Sequence, residues 1–193
     1  MITHLNGKLV EKAPTHAIVE CGGVGYFLNI SLHTFSQLSS DENIKIYTHL
    51  LIREDAHTLY GFAGKAEREI FKLLISVSGI GASTARTMLS SLSPEQIKNA
   101  IAGGDVATIQ GVKGIGAKTA QRVIVDLKDK ILKVYDIDEV SVSQNNTGKE
   151  EALSALEVLG FTRRLAEKVV DKIISQDSSL SVENIIKQAL KNL

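Results

Sequence analysis

Along the first third of the chain apolar and polar residues alternate with the period of a half-buried strand, and beyond residue 63 the spacing becomes helical. Ile2 to Val10, His16 to Cys21, Gly25 to Ile30, Ile44 to Leu51 and His57 to Phe62 each have strand-like alternation or composition. Gly22-Gly23-Val24-Gly25 reads as the turn between the second and third strands. Leu32 to Leu38 reads as a short helical turn, and Ser39-Ser40-Asp41-Glu42-Asn43 as a loop. Five strands this short cannot bury both faces of a flat sheet, so a small closed barrel of the OB type is expected over residues 1–63.

Residues 64–135 carry apolar positions at helical spacing. Ile70, Phe71, Leu74 and Ile75 mark one helix face, and Ala85, Met88, Leu89 and Leu92 the next. Ile109 and Val112 precede a second such pair, followed by Ala120, Val123, Ile124 and Leu127. Ser93-Pro94-Glu95 has the form of an N-cap, a first-position proline and a first-turn acid, opening a helix to about Ala102. Gly103-Gly104 ends it, and Asp105 can cap a short helix after it. Residues 136–148, rich in Asp, Ser and Asn, read as a flexible linker. Three amphipathic helices follow at Lys149–Leu159, Arg163–Ser175 and Val182–Leu193, with Gly160-Phe161 at the first corner. A three-helix unit of residues 149–193 is near the lower size limit for independent folding, and suits an adaptor for another protein better than a site of chemistry.

The helical region contains a repeat. Gly79-Ile80-Gly81-Ala82-Ser83-Thr84-Ala85 returns 35 residues later as Gly114-Ile115-Gly116-Ala117-Lys118-Thr119-Ala120, identical at six of seven positions. Each copy lies between two helical stretches, giving helix, tight turn, helix, twice. Glycine lets the backbone take positive φ and come close to another chain. The first N–H groups of the following helix then face outward at the positive end of its dipole, a receptor for phosphate. Two copies can grip two backbone phosphates of one nucleic acid without reading its sequence.

Ordinary αα-hairpins with glycine turns are the plainest alternative, and repetition weighs against it. A dinucleotide site lacks its third glycine and a clear strand before it. Gly111-Val112-Lys113-Gly114-Ile115-Gly116-Ala117-Lys118-Thr119 is almost a P-loop, but Ala117 is one residue too many and Ser83 stands where the other copy would need a lysine.

The formal charge of zero says nothing of nucleic acid, but its distribution does. Residues 1–63 hold four Lys/Arg and six Asp/Glu, residues 64–135 hold eleven and six, and residues 136–193 hold seven and ten. The basic surplus falls on the paired hairpins. A single cysteine, Cys21, excludes an internal disulfide and suits a reducing cytosol. The five histidines show no metal-ligand spacing, so no metal or cofactor is expected. No apolar run approaches a bilayer span, and Met1-Ile2-Thr3-His4 does not begin a signal peptide.

Barrel, paired helix-hairpin-helix, linker and three-helix tail, in this order, resemble the RuvA family along essentially the whole chain. The local matches are Asn6-Gly7-Lys8-Leu9, Gly22-Gly23-Val24-Gly25-Tyr26, Arg53-Glu54-Asp55-Ala56-His57-Thr58-Leu59-Tyr60-Gly61-Phe62, and Arg122, Ile124, Asp126 and Lys128 beyond the second hairpin. The resemblance implies a multi-domain α+β protein with an OB-fold barrel, an all-α tandem helix-hairpin-helix domain and a UBA-like three-helix bundle. It implies a cytoplasmic bacterial protein of recombination, repair and the SOS response. Four subunits, or eight on DNA, would hold a four-way Holliday junction open and square. The tail would bind the hexameric ATPase RuvB, and the resolvase RuvC is a further candidate partner.

By the same resemblance the DNA-binding residues are Gly79, Gly81, Ser83, Arg86, Gly114, Gly116, Lys118, Thr119 and Arg122. The family's acidic pin falls on Glu54 and Asp55, and the motor-binding residues on Leu156, Leu159, Gly160 and Phe161. One departure matters. Many relatives end the first turn in Pro-Lys, where this chain has Ala82-Ser83, so a fixed charge is lost there. Arg86, one turn on, is the candidate to replace it in part, and the second hairpin is expected to hold harder. With no nucleophile set and no P-loop, hydrolysis must come from a partner. The alternatives are a junction nuclease or glycosylase built on the same hairpins, or a protein scaffold with no affinity for DNA.

Overall fold

A computed structural model describes residues 1–39, 41–139, 147–176 and 180–192. Five strands, β1 (His4–Ala13), β2 (His16–Cys21), β3 (Val24–Asn29), β4 (Asn43–Ile52) and β5 (His57–Phe62), close into a barrel in the order β1-β2-β3-β5-β4. Four of the five pairings are antiparallel; β3 and β5 close the fifth in parallel through Asn29 and Tyr60. Strand alternation sends Leu5, Ala17, Val19, Leu28, Ile44, Ile46 and Leu59 inward. The first strand begins later and ends later than its apolar pattern suggests. A register shift between Leu9 and Glu11 lets it continue to Ala13, opposite His16, before the Pro14-Thr15 turn. Helix α1 (Leu32–Gln37) joins β3 to β4, capped by the Ser31 hydroxyl.

The helical region comprises α2 (Lys65–Ile75), α3 (Ala82–Ser91), α4 (Pro94–Gly103), α5 (Val106–Gln110) and α6 (Ala117–Glu139). The Ser93-Pro94 start is a full capping box. Ser93 Oγ accepts from the Gln96 N–H at 3.2 Å while Gln96 Oε1 accepts from the Ser93 N–H at 2.8 Å. Asp105 caps α5 by accepting from the Thr108 hydroxyl at 2.6 Å and its N–H at 3.1 Å, and these bonds hold its carboxyl below the usual range.

Barrel and hairpins form one compact unit, residues Met1–Asp136. Phe71 of α2 joins them, its ring 5.0 Å from those of Tyr60 and Phe62 on β5. A second tie is polar. The carboxylate of Glu67, 2% exposed, accepts hydrogen bonds from the hydroxyls of Ser31 and of Thr34, the latter at 2.6 Å. Burial pushes this carboxyl above its ordinary value of 4.5, while the two hydroxyls and His33 oppose the shift. The folded state thus holds this proton more tightly than the unfolded state. Its contribution to stability is complete below pH 4.5 and is lost as pH rises through the raised value. Thermal melts over this range should show a falling midpoint for the wild type and a shallower fall for Glu67→Gln. Parallel curves would mean that Glu67 does not titrate in the folded protein.

Helix α6 runs four residues past the expected start of the linker, through Asp136-Ile137-Asp138-Glu139. Three of these four residues are acidic but none is Gly or Pro, and extending a helix already nucleated is easy. Residues 140–146, the middle of that expected linker, and Ser40 of the expected loop lie outside the described residues. The tail is a second unit, Ile137–Leu193, with α7 (Thr147–Val158), α8 (Arg163–Gln176) and α9 (Val182–Asn192). Its core is Ala152, Leu153, Leu156, Ala166, Val170, Ile173, Ile185 and Ala189. Lys149 bridges α7 to Asp171 of α8 at 2.5 Å.

Candidate nucleic-acid interface

The sequence repeat is a repeat of backbone geometry. Val77 N–H donates to Leu74 C=O at 3.1 Å, and Val112 N–H to Ile109 C=O at 3.3 Å. Ile80 N–H donates to Val77 C=O at 3.0 Å, and Ile115 N–H to Val112 C=O at 3.1 Å. Ala85 N–H to Gly81 C=O and Ala120 N–H to Gly116 C=O both measure 2.9 Å. Gly79 and Gly114 take φ of +96° and +92°, a region that a β-carbon makes costly. Between each glycine pair an isoleucine, Ile80 or Ile115, plugs the core and leaves the glycines on the surface.

Each turn therefore delivers a helix start to solvent. Helix α3 begins on Gly81 with no side-chain bond to its free amides, unlike α4 and α5, which Ser93 and Asp105 cap. The amides ahead of Ala85 and Ala120 have no acceptor four residues back. The two starts are neighbours: a β-carbon at Gly79 would lie 3.9 Å from both Cγ2 and Oγ1 of Thr119. Gly79, Gly81 and Ser83 are exposed, as are Gly114, Gly116, Lys118 and Arg122, with Thr119 half-buried against the first turn.

Three placements go beyond the sequence-based expectations. Lys113 is exposed just before Gly114, beside the second glycine turn. Its counterpart in the first copy is Ser78, so the copies differ by two lysines (113 and 118) against two serines (78 and 83). The signal was present in the sequence, outside the matching heptapeptide. Arg86 does not reach toward the first turn. Its Nη1 donates to Asn29 Oδ1 at 3.0 Å and to Thr15 C=O at 3.4 Å, both on the barrel. Leu156 is fully buried in the tail core and cannot face a partner. Leu159 is exposed, as are Val158 and Leu165, which no sequence motif marks. Gly160 ends α7 at φ +98°, where Phe161 N–H donates back to Leu156 C=O at 3.1 Å and Phe161 packs on the tail core.

Glu54 and Asp55 form the exposed tip of the β4–β5 hairpin, in a four-residue loop closed by the Arg53 N–H to Ala56 C=O bond at 2.9 Å. Ile52, at the end of β4, is 64% exposed beside them.

Residues 1–61 match the family model "RuvA N terminal domain", 71–129 the "SAM-like Helix-hairpin-helix tandem" and 148–193 the "RuvA, C-terminal domain". The chain is 66% identical over 193 residues to the Holliday junction branch migration complex subunit RuvA of Flavobacterium psychrophilum, covering all of both chains. It is equally similar to that of Christiangramia forsetii, and 52% identical over 197 residues to that of Cytophaga hutchinsonii, with 99% of each chain covered. The chain belongs to the RuvA family. The RuvA N-terminal match ends at the last strand of the barrel, and the tandem match spans both glycine turns. The RuvA C-terminal match covers the tail with its own core.

Proposed function

We propose that this protein is the non-catalytic, structure-specific DNA-binding subunit of a branch-migration complex acting in recombination and repair. Four subunits hold a four-way junction open and square, and each hairpin pair grips the backbone of one duplex arm. The observation that carries this reading is the duplicated Gly-Ile-Gly turn, with two exposed helix starts side by side and Lys113, Lys118 and Arg122 around the second. Lysines of this kind neutralise phosphates, main-chain amides hydrogen-bond them, and neither carries base readout. The tail recruits the RuvB ATPase through the exposed apolar residues Val158, Leu159 and Leu165, with Gly160 and Phe161 shaping the corner.

Glu54 and Asp55 act as the pin. At a four-fold axis, four copies of the pair would face the crossover and repel phosphates there, which disfavours continuous duplex and helps part the strands. Glu54→Gln with Asp55→Asn should therefore bind linear duplex more tightly and lose preference for junctions. Unaltered selectivity would remove the pin from the mechanism.

The same adjacent carboxylates are what a nuclease reading would use, since metal-assisted hydrolysis needs converging acidic ligands. Among the described residues no three His, Cys, Asp or Glu side chains gather to hold a metal. A labelled junction incubated with the pure protein and magnesium decides the matter: it should remain intact, and cleavage would make the protein an enzyme.

A further inference from the structure

The two hairpins have the same backbone and opposite surroundings. On α3, the face bearing Arg86 and Ser90 is docked on the barrel. Arg86 reaches Asn29 and Thr15, and Ser90 Oγ accepts from the Leu32 N–H of α1 at 3.1 Å while donating to Arg86 C=O at 2.8 Å. Glu67 at the preceding helix makes the third tie, to Ser31 and Thr34. On α6, the equivalent positions, 35 residues on, are Gln121 and Val125. Both are exposed, Val125 at 73%. The docked copy is also the one with serines at 78 and 83 in place of lysines.

From this we infer that Arg86 is a positioning residue that acts through Asn29, and that the first hairpin serves as a strut between barrel and second hairpin. The physical path is short. The Arg86 guanidinium fixes α3 to the barrel at the β1–β2 turn and the end of β3. Gly79, at the head of α3, lies against Thr119 at the start of α6, so the strut ends where the second hairpin presents its free amides and Lys118. Both Arg86 partners are neutral oxygens, and the bonds they accept are charge-assisted and directional. The strut sets the position of the second grip relative to the barrel. A four-way junction needs both in register, the barrel at the crossover and the grips on the arms; a lone duplex needs only the grips.

This inference rests on the junction-binding reading above, and the experiment separates the two. Binding of wild type, Arg86→Ala, Asn29→Ala, the double variant and Asn29→Asp is measured against a four-way junction and a linear duplex over a salt series. A wild type that ignores junctions overturns the function itself. With wild-type binding in place, the strut predicts that Arg86→Ala and Asn29→Ala each lower junction preference by about tenfold, as expected when a charge-assisted bond is removed. The double variant should be little worse than Arg86→Ala alone, because both single changes remove the Arg86–Asn29 bond; Arg86→Ala also loses the contact with Thr15 C=O, and Asn29→Ala the 3.5 Å bond from Asn29 Nδ2 to Leu59 C=O. The salt slope should not change.

Asn29→Ala is decisive because it leaves the Arg86 charge in place. If Arg86 instead meets a phosphate, Asn29→Ala binds as well as wild type and Arg86→Ala flattens the salt slope by about one unit per subunit; that pair of results overturns the proposal. Should the alanine variants lose the barrel fold, Asn29→Asp answers alone, since it keeps the acceptor and cancels the Arg86 charge. Retained junction preference supports the strut, and a loss of affinity with a flatter slope overturns it.

Discussion

Lys118→Ala should weaken junction binding by roughly two to three orders of magnitude at moderate salt. A solvent-exposed ion pair of this kind contributes about 1 kcal/mol, roughly a factor of five. In the tetramer proposed above the substitution acts on four arms at once, and independent effects multiply. The salt dependence gives the more diagnostic signature. Each phosphate that Lys118 no longer neutralises takes about 0.9 from the slope of log K against log salt, so four together should flatten it by about three to four units. Ser83→Ala, at the matching position of the first hairpin, removes no charge and should leave the slope alone. Ser83→Lys should steepen it. Titrations of the three variants against one junction over a salt series check all of this. Equal slopes for Lys118→Ala and wild type would mean that the second hairpin does not meet the backbone through Lys118.

The second large effect concerns the tail. Removing residues 147–193 deletes a unit with its own buried core, so barrel and hairpins should fold unchanged and bind junctions with wild-type affinity. Stimulation of the RuvB motor should be abolished. The gentler variant Leu159→Asp places a charge on the exposed apolar surface, since Leu159 is 57% exposed, without opening the core. It should reduce stimulation strongly and leave the tail's helicity intact. Branch migration of a labelled junction by the motor, with full-length and truncated protein, reads the outcome. Failure of the truncated chain to bind junctions would show that the tail takes part in gripping DNA.

What can be read from the sequence follows the range of the interactions involved. Barrel strands are legible because alternation is a local property; β2 and β5 have the expected bounds, His16–Cys21 and His57–Phe62. Hairpin geometry is legible because positive φ at Gly79 and Gly114 leaves a mark in residue type, and repetition doubles that mark. Helix caps at Ser93 and Asp105 are equally local.

Features that depend on distant partners are not legible. Arg86, one turn beyond the first glycine turn, is by resemblance a DNA-binding residue, and only the fold shows that Asn29, 57 residues earlier, takes its guanidinium. Leu156 and Leu159 are both apolar and three residues apart at the end of one helix. Packing of α8 and α9 puts the first at the centre of the tail and leaves the second in solvent. Glu67 has the sequence context of one more surface acid of α2, yet it is buried beneath α1 with two hydroxyls of the barrel side. The extension of α6 through Asp136–Glu139 escapes the sequence for a different reason: polar composition resembles a linker but does not by itself end a helix.

A grip built from main-chain amides and lysines should recognise the form of a branched backbone and ignore its bases. The direct test is to measure affinity for two four-way junctions of unrelated sequence and for a linear duplex of matched length, in the same buffer. The expected result is indistinguishable affinity for the two junctions and a clear preference for both over the duplex. Discrimination between the junctions by sequence, or equal affinity for junction and duplex, would contradict it.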